Sequence, residues 1–127
     1  MSFPIGVTSP TTPTGRLNAR GQLSEPAVRR GEIWLAELDK HRPVVVLTRD
    51  PLGRLLRSVI VGPVTSTVRG LNTEVGLTEA DGFRTPSVVN LDNLQLLPRT
   101  RLVRRVGKAT PATLVAICAA TAEAIGC

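Results

Sequence analysis

The sequence predicts a mostly β fold: a small, twisted, barrel-like antiparallel sheet with one C-terminal α-helix packed on it. Three observations lead there. Short β-branched runs such as "PVVVLT" and "SVIVGPVTS" recur between turn signals. The apolar period changes once, at "TPATLVAICAATAEAIG", from alternation to a helical stripe. The chain has 127 residues, enough for one domain with a buried core, and only 2% are aromatic, so that core must be aliphatic.

Residues 1–28 carry "TSPTTPTG" and irregular apolar spacing, and are expected to form a disordered tail that leaves 29–127 as the folded domain. "GEIWLAELD" opens the fold. Ile33 and Leu35 alternate with Trp34, Ala36 and Leu38, which predicts a strand covered on both faces with Trp34 in the core. "PVVVLT" follows after a very short turn around Lys40 and His41, so these two strands make a hairpin. "LGRLLR", 52–57, reads as the tip of a second hairpin. "SVIVGPVTS" is a central strand broken at Gly62-Pro63, where a bulge or an edge is expected. "TEVGLT" and "PSVVNL" flank the turn "EADGF", and "LQLLP" and "RLVRRVGKA" complete the strands. In the helix, Thr110 is the N-cap, Pro111 suits the first position and Gly126 ends it. Leu114, Ile117, Cys118, Thr121 and Ile125 form its packing stripe.

Net charge is +6 and the pI about 11.0, a balance suited to polyanions or an acidic protein partner. Arg99, Arg101, Arg104, Arg105 and Lys108 share a stretch without an acid. Cys118 and Cys127 show neither metal-ligand spacing nor a disulfide framework, which fits a reducing cytoplasm. No apolar run approaches the roughly 18 residues that span a membrane. There is no glycine-rich phosphate loop, no GxSxG and no HExxH. Asp39, Asp50, Asp81 and Asp92 are scattered, so two-metal chemistry is not expected. Catalysis here should need no metal and no other cofactor, with Arg, Thr, Ser and the single histidine as the available groups.

"RRGEIWLAELD", "RPVVVLTRD", "VIVGPVTS" and "SVVNLDNLQLLPRTRL" occur in that order. Over roughly 29–126 the chain resembles the MazF/PemK family of toxin endoribonucleases. That resemblance implies an SH3-like barrel with a C-terminal helix, usually a homodimer. It implies metal-independent cleavage of single-stranded RNA at short sequence motifs. The ribose 2′-OH attacks the adjacent phosphate and leaves a 2′,3′-cyclic phosphate and a 5′-OH. It also implies an antitoxin whose acidic, partly disordered segment lies across the same basic groove. Arg42 and Thr65 hold the positions of the family's two central active-site residues. Asp92 and Asn93 hold positions that contact RNA bases, where relatives more often have Glu-Gln. The chain departs from the family between its first two strands, where a short turn replaces a longer, glycine-rich loop that folds over the substrate.

The chemistry of these side chains fits that assignment. The Arg42 guanidinium can grip two non-bridging phosphate oxygens and stays charged. It is an awkward general base, so its role is charge stabilisation, with proton donation to the 5′-oxygen also open to it. Thr65 can hold a phosphate oxygen or the 2′-OH by its hydroxyl and backbone N–H. Ser66, Thr67 and Arg69 extend that edge toward backbone phosphates. His41, the single histidine, is a candidate base, although strand alternation points it away from Arg42's face. Two other classes remain open. A CcdB-like gyrase poison shares the fold but places an aromatic near its C-terminal end, whereas no aromatic follows Phe83 here. A basic module could also bind RNA without cutting it.

Overall fold

The structure, a computed structural model, describes residues 27–50 and 56–126. Residues 1–26 of the tail expected over 1–28, and most of the predicted hairpin tip, at 51–55, lie outside the described residues. The described chain forms β1 (Glu32–Glu37), β2 (His41–Val46), β3 (Ser58–Thr65), β4 (Glu74–Leu77), β5 (Ser87–Asn90), β6 (Gln95–Pro98), β7 (Leu102–Lys108) and α1 (Pro111–Ile125). All strand pairs are antiparallel, in the order β4-β5-β3-β2-β1-β7, and β6 pairs with β3. Among the described residues, the predicted strands and helix agree in type with the observed ones.

Alternation along the strands builds two aliphatic cores on opposite sides of the sheet. Ile33, Val45, Val64, Val75, Leu77, Val89 and Leu91 face α1, which contributes Ile117 and Ala120. Ala36, Val44, Val46, Val59, Val61, Leu97 and Leu102 fill the inside of the curled β6-β3-β2-β1-β7 unit. Trp34 packs half-buried against that second cluster, and its indole N–H donates to Glu32 Oε1 at 3.1 Å.

β3 is not broken at Gly62-Pro63. It runs unbroken for 8 residues and pairs with β2 through Val61, Gly62 and Pro63. What changes there is its other neighbour: β6 pairs with Ser58 to Val61, and β5 with Val64 and Thr65. The dipeptide is a corner where one strand leaves the ladder and another joins it. Glycine is required because a Cβ at position 62 would meet Val89 Cγ2 at 2.8 Å.

Two assignments shift. Val28, at the end of the expected tail, is fully buried in the second core. Cys118 is exposed rather than packed, with Arg30 Nη2 donating to its sulfur at 2.7 Å. Ala120 takes the buried place on α1, and Leu114 and Thr121 are half-buried as the stripe implied. With Glu123 as its sole charge, this helix is apolar nearly all round, so periodicity alone leaves its rotation underdetermined. Thr110, Pro111 and Gly126 cap it as expected.

Asp81 locks the helix to the sheet. It lies in the 3-10 turn Glu79–Asp81, and its carboxylate accepts from the Thr110 N–H at 2.8 Å, the Thr78 N–H at 3.0 Å and the Thr113 hydroxyl at 3.3 Å. Burial pushes this carboxyl up, but those hydrogen bonds outweigh burial and hold it below the ordinary aspartate value.

Candidate active site

The tight turn at 38–40 starts β2 so that Ala36 faces Arg42 and Glu37 faces His41. Arg42 shares its side of the strand with Val44 and Val46, which fill the inside of the curled sheet. It therefore stands at the open end of that interior, with its side chain 38% exposed. Val44 faces Pro63 across the β2–β3 ladder. Two residues further on each strand, Arg42 and Thr65 continue that same side.

A cleft of about 390 Å³ opens there, lined by Leu38, Asp39, Arg42, Pro63, Asn93 and Gln95. Asp39 Oδ1 lies 3.5 Å from Arg42 Nε, so one edge of the guanidinium faces a carboxylate. Among the described residues, that is Arg42's sole ion-pair contact. Asn93 ends the 3-10 turn Leu91–Asn93, and Gln95 starts β6 opposite Val61.

Of the sequence candidates, the cleft gathers Arg42 and Asn93. Thr65 is adjacent by register, but its hydroxyl accepts the Thr67 N–H at 3.1 Å and it is not part of the lining. Ser66 and Thr67 are exposed beyond it. Arg69 is engaged elsewhere: its Nε lies 3.3 Å from Glu74 Oε2, and its backbone N–H donates to Glu74 Oε1 at 3.0 Å. Burial pushes the Glu74 carboxyl up, and hydrogen bonds from Leu71, Arg69 and Gly70 bring it below the ordinary glutamate value. Asp92 accepts from the Thr73 hydroxyl and lies off the lining. His41 is exposed, with Nε2 4.0 Å from Glu37 Oε2, on the side of β2 opposite Arg42.

Sequence reading missed Asp39 and Gln95 as cleft residues. For Gln95 a signal existed. It is the polar residue of "LQLLP" in phase with Leu97, which is buried. The basic residues from Arg99 to Lys108 differ in their surroundings. Arg99 is buried, and Arg105 Nη1 lies 3.0 Å from Oε2 of buried Glu32, whereas Arg104 is exposed.

Among the described residues, no three His, Cys, Asp or Glu side chains form a group that could hold a metal ion. None of the described helices is long and apolar enough to cross a membrane.

Comparison with known proteins agrees with this architecture. Residues 29–125 match the family described as "PemK-like, MazF-like toxin of type II toxin-antitoxin system". The chain is 44% identical over 103 residues to "Probable endoribonuclease MazF2" of Mycobacterium tuberculosis, covering 79% of this chain and 100% of that one. It is 48% identical over 75 residues to "Endoribonuclease MazF3" of the same organism, covering 59% and 73%. Among solved structures it superposes on "Mycobacterium tuberculosis toxin MazF-mt6" with TM-score 0.72 and 41% identity, covering 75% of this chain and 96% of that one. A mycobacterial "Endoribonuclease in complex with its cognate antitoxin" superposes with TM-score 0.73 and 30% identity, covering 79% and 96%. With this cleft on this sheet and a match running from the residue before β1's lead-in turn to the end of α1, the chain belongs to the PemK-like, MazF-like toxins of type II toxin–antitoxin systems.

Proposed function

We propose that this toxin endoribonuclease cuts single-stranded RNA at short sequence motifs, without a metal, in the cleft at the open end of the curled sheet. The ribose 2′-OH attacks the neighbouring phosphorus and the bond to the 5′-oxygen breaks. The products are a 2′,3′-cyclic phosphate and a 5′-OH. The observation that carries this reading is Arg42: a guanidinium at the mouth of an apolar interior, with one edge against Asp39. The rest of the fork is free to meet two phosphate oxygens as their charge grows. Low polarity behind it strengthens that contact.

Thr65, on the same side of the sheet, supplies a hydroxyl to the substrate once RNA displaces its contact with the Thr67 N–H. His41 is off the cleft side and stands near Glu37 instead, which supports RNA contact over a role at the reacting bond. Ser66 and Thr67 bind backbone phosphates beyond Thr65. Asn93 meets a base, and Asp92 and Arg69, held by Thr73 and Glu74 outside the cleft lining, contact RNA beyond it.

A cognate antitoxin with an acidic segment across this basic cleft would exclude RNA by occupying it. A homodimer is supported by α1, whose outer side carries Val115, 70% exposed, and several alanines, next to β4 at the edge of the sheet.

The test is incubation of the chain with total RNA in excess EDTA, with mapping of new 5′-OH ends. Short-motif cleavage giving cyclic phosphate ends is expected. A requirement for Mg²⁺ with 5′-phosphate products would overturn the mechanism. At saturating protein, Arg42→Ala should lower the single-turnover rate by roughly 10²–10³. Arg42→Lys should also fail, because an ammonium lacks the planar fork. His41→Ala should lose at most about tenfold.

A further inference from the structure

We infer that Gln95, with Asn93 beside it, selects the nucleobase next to the scissile phosphate; this rests on the RNA-cleaving reading of the cleft. Gln95 starts β6, and the ladder from Ser58↔Pro98 to Val61↔Gln95 fixes its direction. Leu96 points outward and is 71% exposed, and Leu97 points into the core. Gln95 therefore points inward with Leu97 and meets solvent only where the interior opens, on the cleft wall. Its carboxamide and that of Asn93 make no hydrogen bond to any described residue. A half-buried amide set on a strand and left unpaired is costly to cover with an apolar ligand. It suits a ligand with a donor and an acceptor side by side.

A nucleobase has such an edge. Single-stranded RNA is read by hydrogen bonds to the edges of unstacked bases, with apolar or planar groups against their faces. Leu38 and Pro63 supply the apolar walls, and Arg42 fixes the phosphate in the same cleft. A neutral carboxamide adds little to phosphate affinity, so its contribution is discrimination between bases.

Total RNA is digested by the wild type, Gln95→Glu, Gln95→Leu and the outward-facing Leu96→Ser, and the 5′-OH ends are mapped. Glutamate offers acceptors only, so Gln95→Glu should favour bases that present amino groups. At one position of the motif the base preference should shift by roughly 5- to 100-fold. The other positions, and the whole motif of Leu96→Ser, should be retained. Binding of four short RNAs that differ at that base, measured in an Arg42→Ala background so that nothing is cut, should follow the same order. This covers any Gln95 variant too slow to map. Unchanged base preference in both Gln95 variants, by cleavage or by binding, overturns the inference. If the wild type cuts no RNA, or if Arg42→Ala cuts at the wild-type rate, the cleft reading itself fails instead.

Discussion

The Asp39–Arg42 contact sets up a separation between binding and rate. Asp39 is largely exposed, so the contact with Arg42 Nε contributes at most about 1 kcal/mol. Asp39→Asn removes a negative charge from the cleft and also loosens the guanidinium. RNA should bind somewhat more tightly while the bound-state rate falls by up to about fivefold, measured by direct binding beside single-turnover cleavage. Arg104 and Arg105 should separate just as clearly. Arg105→Ala deprives buried Glu32 of its cation and leaves two N–H donors, from Arg29 and Trp34. A loss of about 1–2 kcal/mol in stability is expected, read as a melting shift of several degrees. Arg104→Ala should melt normally and reduce the salt dependence of RNA binding by about one unit of slope. Sequence reading grouped these two arginines, because adjacent residues on a strand look alike until one is seen to reach a buried acid. Arg42 was legible because its motif names it. Asp39 was not, since its contact depends on how tightly the turn at 38–40 closes.

At the scale of elements, the joint between α1 and the sheet runs through the 3-10 turn Glu79–Asp81, which also touches β7. Asp81 holds it through charge-assisted hydrogen bonds, and the backbones also touch. A Cβ at Gly107 on β7 would sit 2.5 Å from the Asp81 carbonyl oxygen. Gly107→Ala should cost about 1–3 kcal/mol, because neither backbone can yield cheaply. Gly76→Ala on β4 meets nothing within 4 Å and should melt like the wild type in the same assay. The Asp81 carboxyl titrates lower in the folded chain than in the unfolded one. Its stabilisation is therefore complete above the unfolded value, about pH 4, and is lost as pH falls through the folded value. Asp81→Asn should melt below the wild type at neutral pH, and the gap should narrow in acid. Strand type and order were readable from alternation and turn residues. The corner at Gly62-Pro63 was not, because a break in local propensity looks the same whether a strand ends or changes partners.

For the molecule as a whole, the domain begins earlier than composition suggests. Val28 is buried among Val44, Val59 and Leu102, so a chain starting at Arg29 should lose about 1.5–3 kcal/mol relative to one starting at Ala27. Equal melting temperatures for the two truncations would remove Val28 from the core. A single valine at the end of a Pro- and Thr-rich segment gives no periodic signal, which is why Val28 was not legible as a core residue.

The pairing of β1 with β7, Glu32 against Lys108, also has a temporal meaning. The first strand cannot find its outer neighbour until nearly the whole domain has been synthesised, and α1, which roofs one core, comes later still. Long-range pairing of this kind is slow and depends on late residues. On the ribosome, Arg42, Asn93 and Gln95 would emerge before the strand and helix that hold their scaffold rigid. Nuclease activity should then be absent from ribosome-stalled chains ending before residue 108 and should appear once residue 125 has cleared the exit tunnel.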